Sequence, residues 1–300
     1  MAMGVKLPVM TRPVHIHAGA HRTGTSSFQL CLAENAPVLD RHGIDAVYPG
    51  RDGVPGGRLR LNLPRPRHGA KRVPEFAEEV RAHLARLSPG LDRGLVISEE
   101  NIPGPMRHFY QGRFYPASAM RLAALAQAVG RPRHVVLVLR PYDALYVSAY
   151  RKRAEDNLVP PFADLVPKFM GMDRGWPELV VEFRDILRPE QLTVIDFARR
   201  GSSVALLRRL VPEVAGEDLK EPEQVVNLSA TDAGLAHLQA RFRAGEVLDR
   251  KVWQVVIAEF RSDTTVSGFA EFSDVDQDLL RARYARDLAR IATLEGVELI

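Results

Sequence analysis

Cysteine is almost absent: Cys31 is the only one in 300 residues. An intrachain disulfide is therefore excluded, and the chain reads as one made for a reducing, cytoplasmic compartment. Cys31 itself fits a small apolar residue in a helix. Long hydrophobic runs are missing too. No stretch approaches the ~20 apolar residues that a membrane span requires. Residues 1–10 lack the basic-then-apolar order of a secretory signal. His68, His108 and His237 stand without metal-ligand spacing, so no metal is expected. There is no internal repeat and no nucleic-acid-reading motif. Positive charge is only mildly in excess, at +4, and arginine far outnumbers lysine. That balance suits anionic ligands without indicating nucleic acid as a partner.

An apolar content of 46% is enough for one α/β domain covering residues 1–300. Apolar runs at 14–18, 44–48, 94–98, 134–139 and 191–197 read as strands. Residues 26–42 (with a break near Pro37), 73–87, 120–129, 142–153, 162–170, 176–187, 203–211, 231–243 and 274–291 read as helices. The run 134–139 is apolar throughout, as in a parallel strand buried on both faces. The expected fold is α/β, with a mostly parallel central sheet and helices on both faces. Residues 51–72, rich in Gly, Pro and Arg, read as a flexible loop insertion. It is either an acceptor-binding lid or a solvated surface loop.

The most informative stretch is His15-Ile16-His17-Ala18-Gly19-Ala20-His21-Arg22-Thr23-Gly24-Thr25-Ser26-Ser27. A short strand runs into a glycine-bracketed turn and then a helix start. Helix N-terminal N–H groups have no intrahelical partner and sit at the positive end of the dipole. Gly19 and Gly24 permit tight turning, Arg22 adds a cation, and Thr23, Thr25, Ser26 and Ser27 add hydroxyls. A phosphate-like group is the expected guest. The spacing from Gly19 to Gly24 matches a nucleoside-triphosphate loop, but Thr25 stands where that loop has lysine. No obvious strand ends in an aspartate suited to Mg²⁺. An ATP-dependent small-molecule kinase is therefore the weaker enzyme reading.

Residues 19–26 resemble the 5′-phosphosulfate loop of sulfotransferases of the bacterial, P-loop-like type, typically Gly-x-Pro-Lys-Thr/Ser-Gly-Thr-Thr. His21 stands at the proline and Arg22 at the lysine. The resemblance implies a P-loop-containing, nucleotide-hydrolase-like sulfotransferase fold. It also implies 3′-phosphoadenosine 5′-phosphosulfate (PAPS) as sulfuryl donor, 3′,5′-ADP (PAP) as product and a hydroxylated acceptor, a carbohydrate or small metabolite. Gly19, Arg22, Thr23, Gly24, Thr25, Ser26 and Ser27 would then hold the 5′-phosphosulfate. Arg140 and Ser148, one at a strand end and one in the next helix, are similar to the family's 3′-phosphate pair. The run Ser98-Glu99-Glu100-Asn101 resembles the strand end that carries the family's acid. Glu100 is the expected general base, with Glu99, His21 and His17 as competitors. Asn227-Leu228-Ser229 is weakly similar to a nucleotide-proximal Asn-x-Ser. A PAP-binding relative without transferase activity is the remaining alternative.

Overall fold

The computed structural model describes residues 12–51, 53–224 and 230–300. Asn227, Leu228 and Ser229 lie outside that set. β1 (Val14–His17) leads through α1 (Thr25–Glu34) and α2 (Ala36–Arg41) to β2 (Ile44–Val47). α3 (Val73–Leu87), β3 (Gly94–Ser98), α4 (Ser118–Val129), β4 (His134–Leu139) and α5 (Tyr142–Ala154) follow. Next come α6 (Phe162–Met170), α7 (Trp176–Glu182), β5 (Gln191–Asp196) and α8 (Ser203–Leu210); β5 ends in an aspartate, against the expectation from the sequence, and Asp196 Oδ1 accepts from Tyr284 Oη at 2.8 Å and Ala198 N at 3.4 Å. α9 (Asp232–Arg243), α10 (Arg250–Glu259), α11 (Asp274–Ala292) and β6 (Glu298–Leu299) close the chain. β6 and a 3₁₀ helix at Met106–Gln111 were not legible from periodicity, and α10 is a helix beyond those expected from the sequence. None of the described helices is long and apolar enough to cross a membrane.

All six strands are parallel, in the order β2-β3-β1-β4-β5-β6. Alternation along the strands sorts side chains into two cores, one on each face. Val14, Ile16, Leu95, Ile97, Val135 and Leu137 join the larger core, with α3 and α4 over them. Val96, Val136, Val138 and Ile195 join the smaller one, beneath Phe28 and Leu32 of α1 and Leu207 of α8. Each such side chain contributes about 1.5–3 kcal/mol on burial. Cys31 is buried in the smaller core, and burial pushes its thiol up to about 12.

β1 lies at the centre, with β3 and β4 on opposite sides. The C-terminal ends of the strands share one edge, and the change of direction around β1 opens a crevice there. The stretch 51–72 crosses near this edge. Its Leu59 and Leu63 are buried in the larger core, while Arg58, Arg60, Arg65 and Arg67 are exposed. In α11, Leu280, Tyr284 and Ile291 pack inward. Val275 and Leu279 are exposed, so the apolar stripe read there is only half used.

Candidate functional site

β1 continues its ladder past His17: Ala18 N donates to Val136 O at 3.0 Å and Ala20 N to Val138 O at 2.9 Å. The chain then turns. Gly19 and Gly24 both have φ of 83°, and Arg22 has φ of 62°. A Cβ on Gly19 would lie 3.0 Å from the Glu100 Cα, so a bare glycine lets the loop approach the end of β3. A Cβ on Gly24 would meet the Arg200 guanidinium at 3.1 Å. Left-handed backbone at Arg22 costs about 1–2 kcal/mol, and the contacts around Arg22 hold it there.

Those contacts bring together residues far apart in sequence. Arg22 Nε donates to Ser148 Oγ at 2.8 Å, and Arg140 Nη1 donates to the Arg22 carbonyl at 2.5 Å. The Arg140 guanidinium lies 5.1 Å over the Phe197 ring. Its own carbonyl accepts from Trp176 Nε1 at 3.0 Å, while Tyr284 anchors the preceding Leu139 carbonyl. Arg200 reaches in from the end of β5, donating to Gly24 O at 3.1 Å. Burial holds Arg140 below the ordinary arginine range, and the charge of Arg22 adds to this; burial lowers Arg200 as well. The Nε atoms of Arg140 and Arg200 are buried without a hydrogen-bond partner. Guanidiniums this concentrated suit an anionic guest.

The hydroxyls divide. Thr23 Oγ1 donates to Ala20 O at 2.7 Å and Thr25 Oγ1 to the same carbonyl at 3.4 Å, so both brace the loop. Ser26 and Ser27 are half-buried at the start of α1. Gly24 caps α1 without a side chain, and the helix's first bond is Phe28 N to Gly24 O at 3.1 Å. The first-turn N–H groups lack intrahelical partners and suit phosphate oxygens.

The four base candidates are distinct. Glu99 is buried, and its oxygens accept from Asn101 N at 2.8 Å, Asn101 Nδ2 at 2.9 Å and Arg51 Nη2 at 3.0 Å. Donors on both oxygens make it an anchor. His21 is buried between Tyr115 Oη at 3.1 Å and Asn101 Oδ1 at 3.0 Å; burial lowers it to about 4, so it is neutral near pH 7. His17 is sealed against Phe28 on the smaller-core face, with burial lowering it to about 3. Glu100 is partly exposed, beside the loop, 3.6 Å from Arg51. Of the two acids it is the more exposed, at 27% against 3% for Glu99.

Arg51, Tyr115, Trp176, Phe197 and Arg200 escaped the sequence reading. The signal for Phe197 and Arg200 was their position just after a strand, on the same edge as Gly19 and Arg140. Among the described residues, no group of three His, Cys, Asp or Glu could hold a metal ion. No family model matches this chain, and no curated protein matches it.

Proposed function

We propose that this chain is a sulfotransferase that takes PAPS as donor. The observation that carries the reading is the meeting of Arg22, Arg140 and Ser148 at the start of α1, through the 2.8 Å and 2.5 Å hydrogen bonds. PAPS carries a phosphate at the 3′ and a phosphosulfate at the 5′ position of one ribose, so it needs two adjoining anion sites. The loop 19–27 supplies one, and Arg140 with Ser148 supplies the other. The buried, unpartnered Nε of Arg140 supports this fit.

Bound PAPS would supply a sulfuryl group: the acceptor oxygen forms the new S–O bond, the bond from sulfur to the bridging oxygen breaks, and 3′,5′-ADP leaves with the electron pair. Glu100 takes the proton of the acceptor hydroxyl. Arg22 and the first N–H groups of α1 stabilise charge growing on the leaving phosphate. Arg140 and Ser148 fix the 3′-phosphate and so orient the reacting group. Glu99 acts indirectly, holding Asn101 and Arg51 in place.

Differential scanning fluorimetry tests the reading. The melting temperature should rise with 3′,5′-ADP in the absence of Mg²⁺, and not with ATP and Mg²⁺. The reverse preference sinks the proposal in favour of a kinase. Stabilisation by 3′,5′-ADP without PAPS consumption across a panel of hydroxylated acceptors would leave a nucleotide-binding protein without transferase activity.

A further inference from the structure

A cleft of about 440 Å³ opens beside the loop, lined by Arg51, Arg60, Arg65, Arg107 and Arg121, with Glu99 as its one carboxylate. Its volume falls in the range of small-molecule sites. Asn101 also lines it, and Asn101 Oδ1 lies 3.0 Å from His21 Nε2. The inner wall of the cleft is thus one hydrogen bond from the phosphate loop.

The charges in the cleft are unbalanced. Arg51 pairs with Glu99 at 3.0 Å, which uses the carboxylate. Arg121 is buried and donates only to neutral carbonyls: Ile102 O at 2.9 Å, Pro64 O at 2.8 Å, Leu63 O at 3.2 Å and Asn101 O at 2.5 Å. Arg60 donates to the Leu59 carbonyl at 2.7 Å. Among the described residues, the guanidiniums of Arg65 and Arg107 make no hydrogen bond or ion pair. Low-dielectric walls focus such a field on whatever enters. His108 lines the same cleft; its Nδ1 lies 3.2 Å from Gln111 Oε1, and its Nε2 is buried without a partner. Burial lowers His108, so the ring is neutral, and with Nδ1 donating to Gln111 the Nε2 lone pair can accept from a hydroxyl.

We infer that this cleft binds the acceptor, and that the acceptor is a polyhydroxylated anion, a sugar carboxylate or an equivalent. Arg65 and Arg107 grip its negative group, and its hydroxyls meet His108 and the inner wall at Glu99 and Asn101. The word acceptor rests on the sulfotransferase proposal; the binding of a hydroxylated anion in the cleft does not.

The test uses the full chain and two probes that differ by one carboxylate, p-nitrophenyl β-D-glucuronide and p-nitrophenyl β-D-glucoside. Binding is followed by ligand-observed NMR, with 3′,5′-ADP titrated separately by calorimetry. The glucuronide should bind about tenfold more tightly. In the Arg65→Ala/Arg107→Ala double variant that preference should vanish, with 3′,5′-ADP affinity unchanged. Both side chains are exposed and unpartnered, so this variant should fold. Equal affinity for the two probes, no saturable glucuronide binding, or a preference that survives the double substitution each overturns the inference. Should wild-type protein ignore 3′,5′-ADP while the glucuronide preference behaves as expected, the donor reading fails and the anion cleft stands.

Discussion

Gly19 and Gly43 share a left-handed backbone, but their surroundings differ. Nothing lies within 4 Å of a Cβ built on Gly43, whereas one on Gly19 meets the backbone of Glu100 at 3.0 Å. Gly43→Ala should therefore cost only the conformational term, about 1–2 kcal/mol. Gly19→Ala should cost roughly 1–3 kcal/mol more, because Glu100 must move. Urea unfolding of the two variants measures the difference, and equal losses would mean the loop does not press on β3. At Arg140 the expected effect is on ligand choice. Arg140→Ala should weaken 3′,5′-ADP by about 10- to 100-fold, the worth of a charge-assisted contact, and 5′-AMP by much less. Parallel losses for both ligands would remove its role at the 3′-phosphate. His21 supplies a pH signature. Its folded value of about 4 lies below the ordinary 6.5, so the unfolded chain binds the proton first as pH falls. Stability is full above pH 6.5 and is lost between 6.5 and about 4, on the order of 3 kcal/mol. In His21→Asn the slope of stability against pH in that window should drop by about one proton. An unchanged slope would show that His21 is solvated. Gly19, Arg22, Arg140 and Ser148 were legible because each sits at a fixed offset from a strand end. Arg51 was not, since nothing local distinguishes it from other surface arginines; Arg200 follows a strand as Arg140 does, but only the fold brings it to the loop.

α4 does more than cover the sheet. Its Arg121 crosses to the turn after β3 and to the stretch at 63–64, and donates to backbone carbonyls in both. One side chain thus joins three segments that line the cationic cleft. Arg121→Met keeps much of the packing but strands those carbonyls, at a cost of about 3 kcal/mol or more. Hydrogen exchange should then quicken at residues 60–66 and 99–102, with the strands β4 and β5 still protected. Uniform loss of protection would mean that Arg121 supports the whole core and not this clamp. The element record explains what was readable. β4 and α3 were plain because an unbroken apolar run and a helical repeat leave few alternatives: Val73–Leu87 and His134–Leu139 run as the periodicity indicates. β6 is two residues long and has no pattern to read. α10 was legible and went unread: Val252, Trp253, Val256, Ile257 and Phe260 recur at helical spacing, although Val256 is its only buried residue. The burial of Leu59 and Leu63 was hidden by the Gly, Pro and Arg around them, which show no period.

At the scale of the molecule, the parallel order places two charged sites on one edge and separates them by β1. The proposed nucleotide site draws on the ends of β1, β4 and β5, through Arg22, Arg140 and Arg200. The cleft draws on the turn after β3, on Arg51 and on residues 60–66. The two share a wall at Asn101 and His21 but no cation in direct contact with both. For a transfer between two bound substrates that division is useful, since each can be held by its own charges while the reacting groups meet between them. It also makes the sites separable at the residues tested: the side chain of Arg140 shares no hydrogen-bond partner with those of Arg65 and Arg107 among the described residues, and side chains without shared partners add to within about 0.5 kcal/mol. Arg140→Ala should weaken 3′,5′-ADP by the same factor whether or not Arg65 and Arg107 are also replaced by alanine. The cleft double substitution should in turn remove the glucuronide preference equally with Arg140 present or absent. A triple variant measured against both probes completes the cycle. Losses that multiply support two half-sites meeting at Asn101. Coupling of tenfold or more would mean that one ligand spans both sets of arginines, and that the crevice is a single extended anion site.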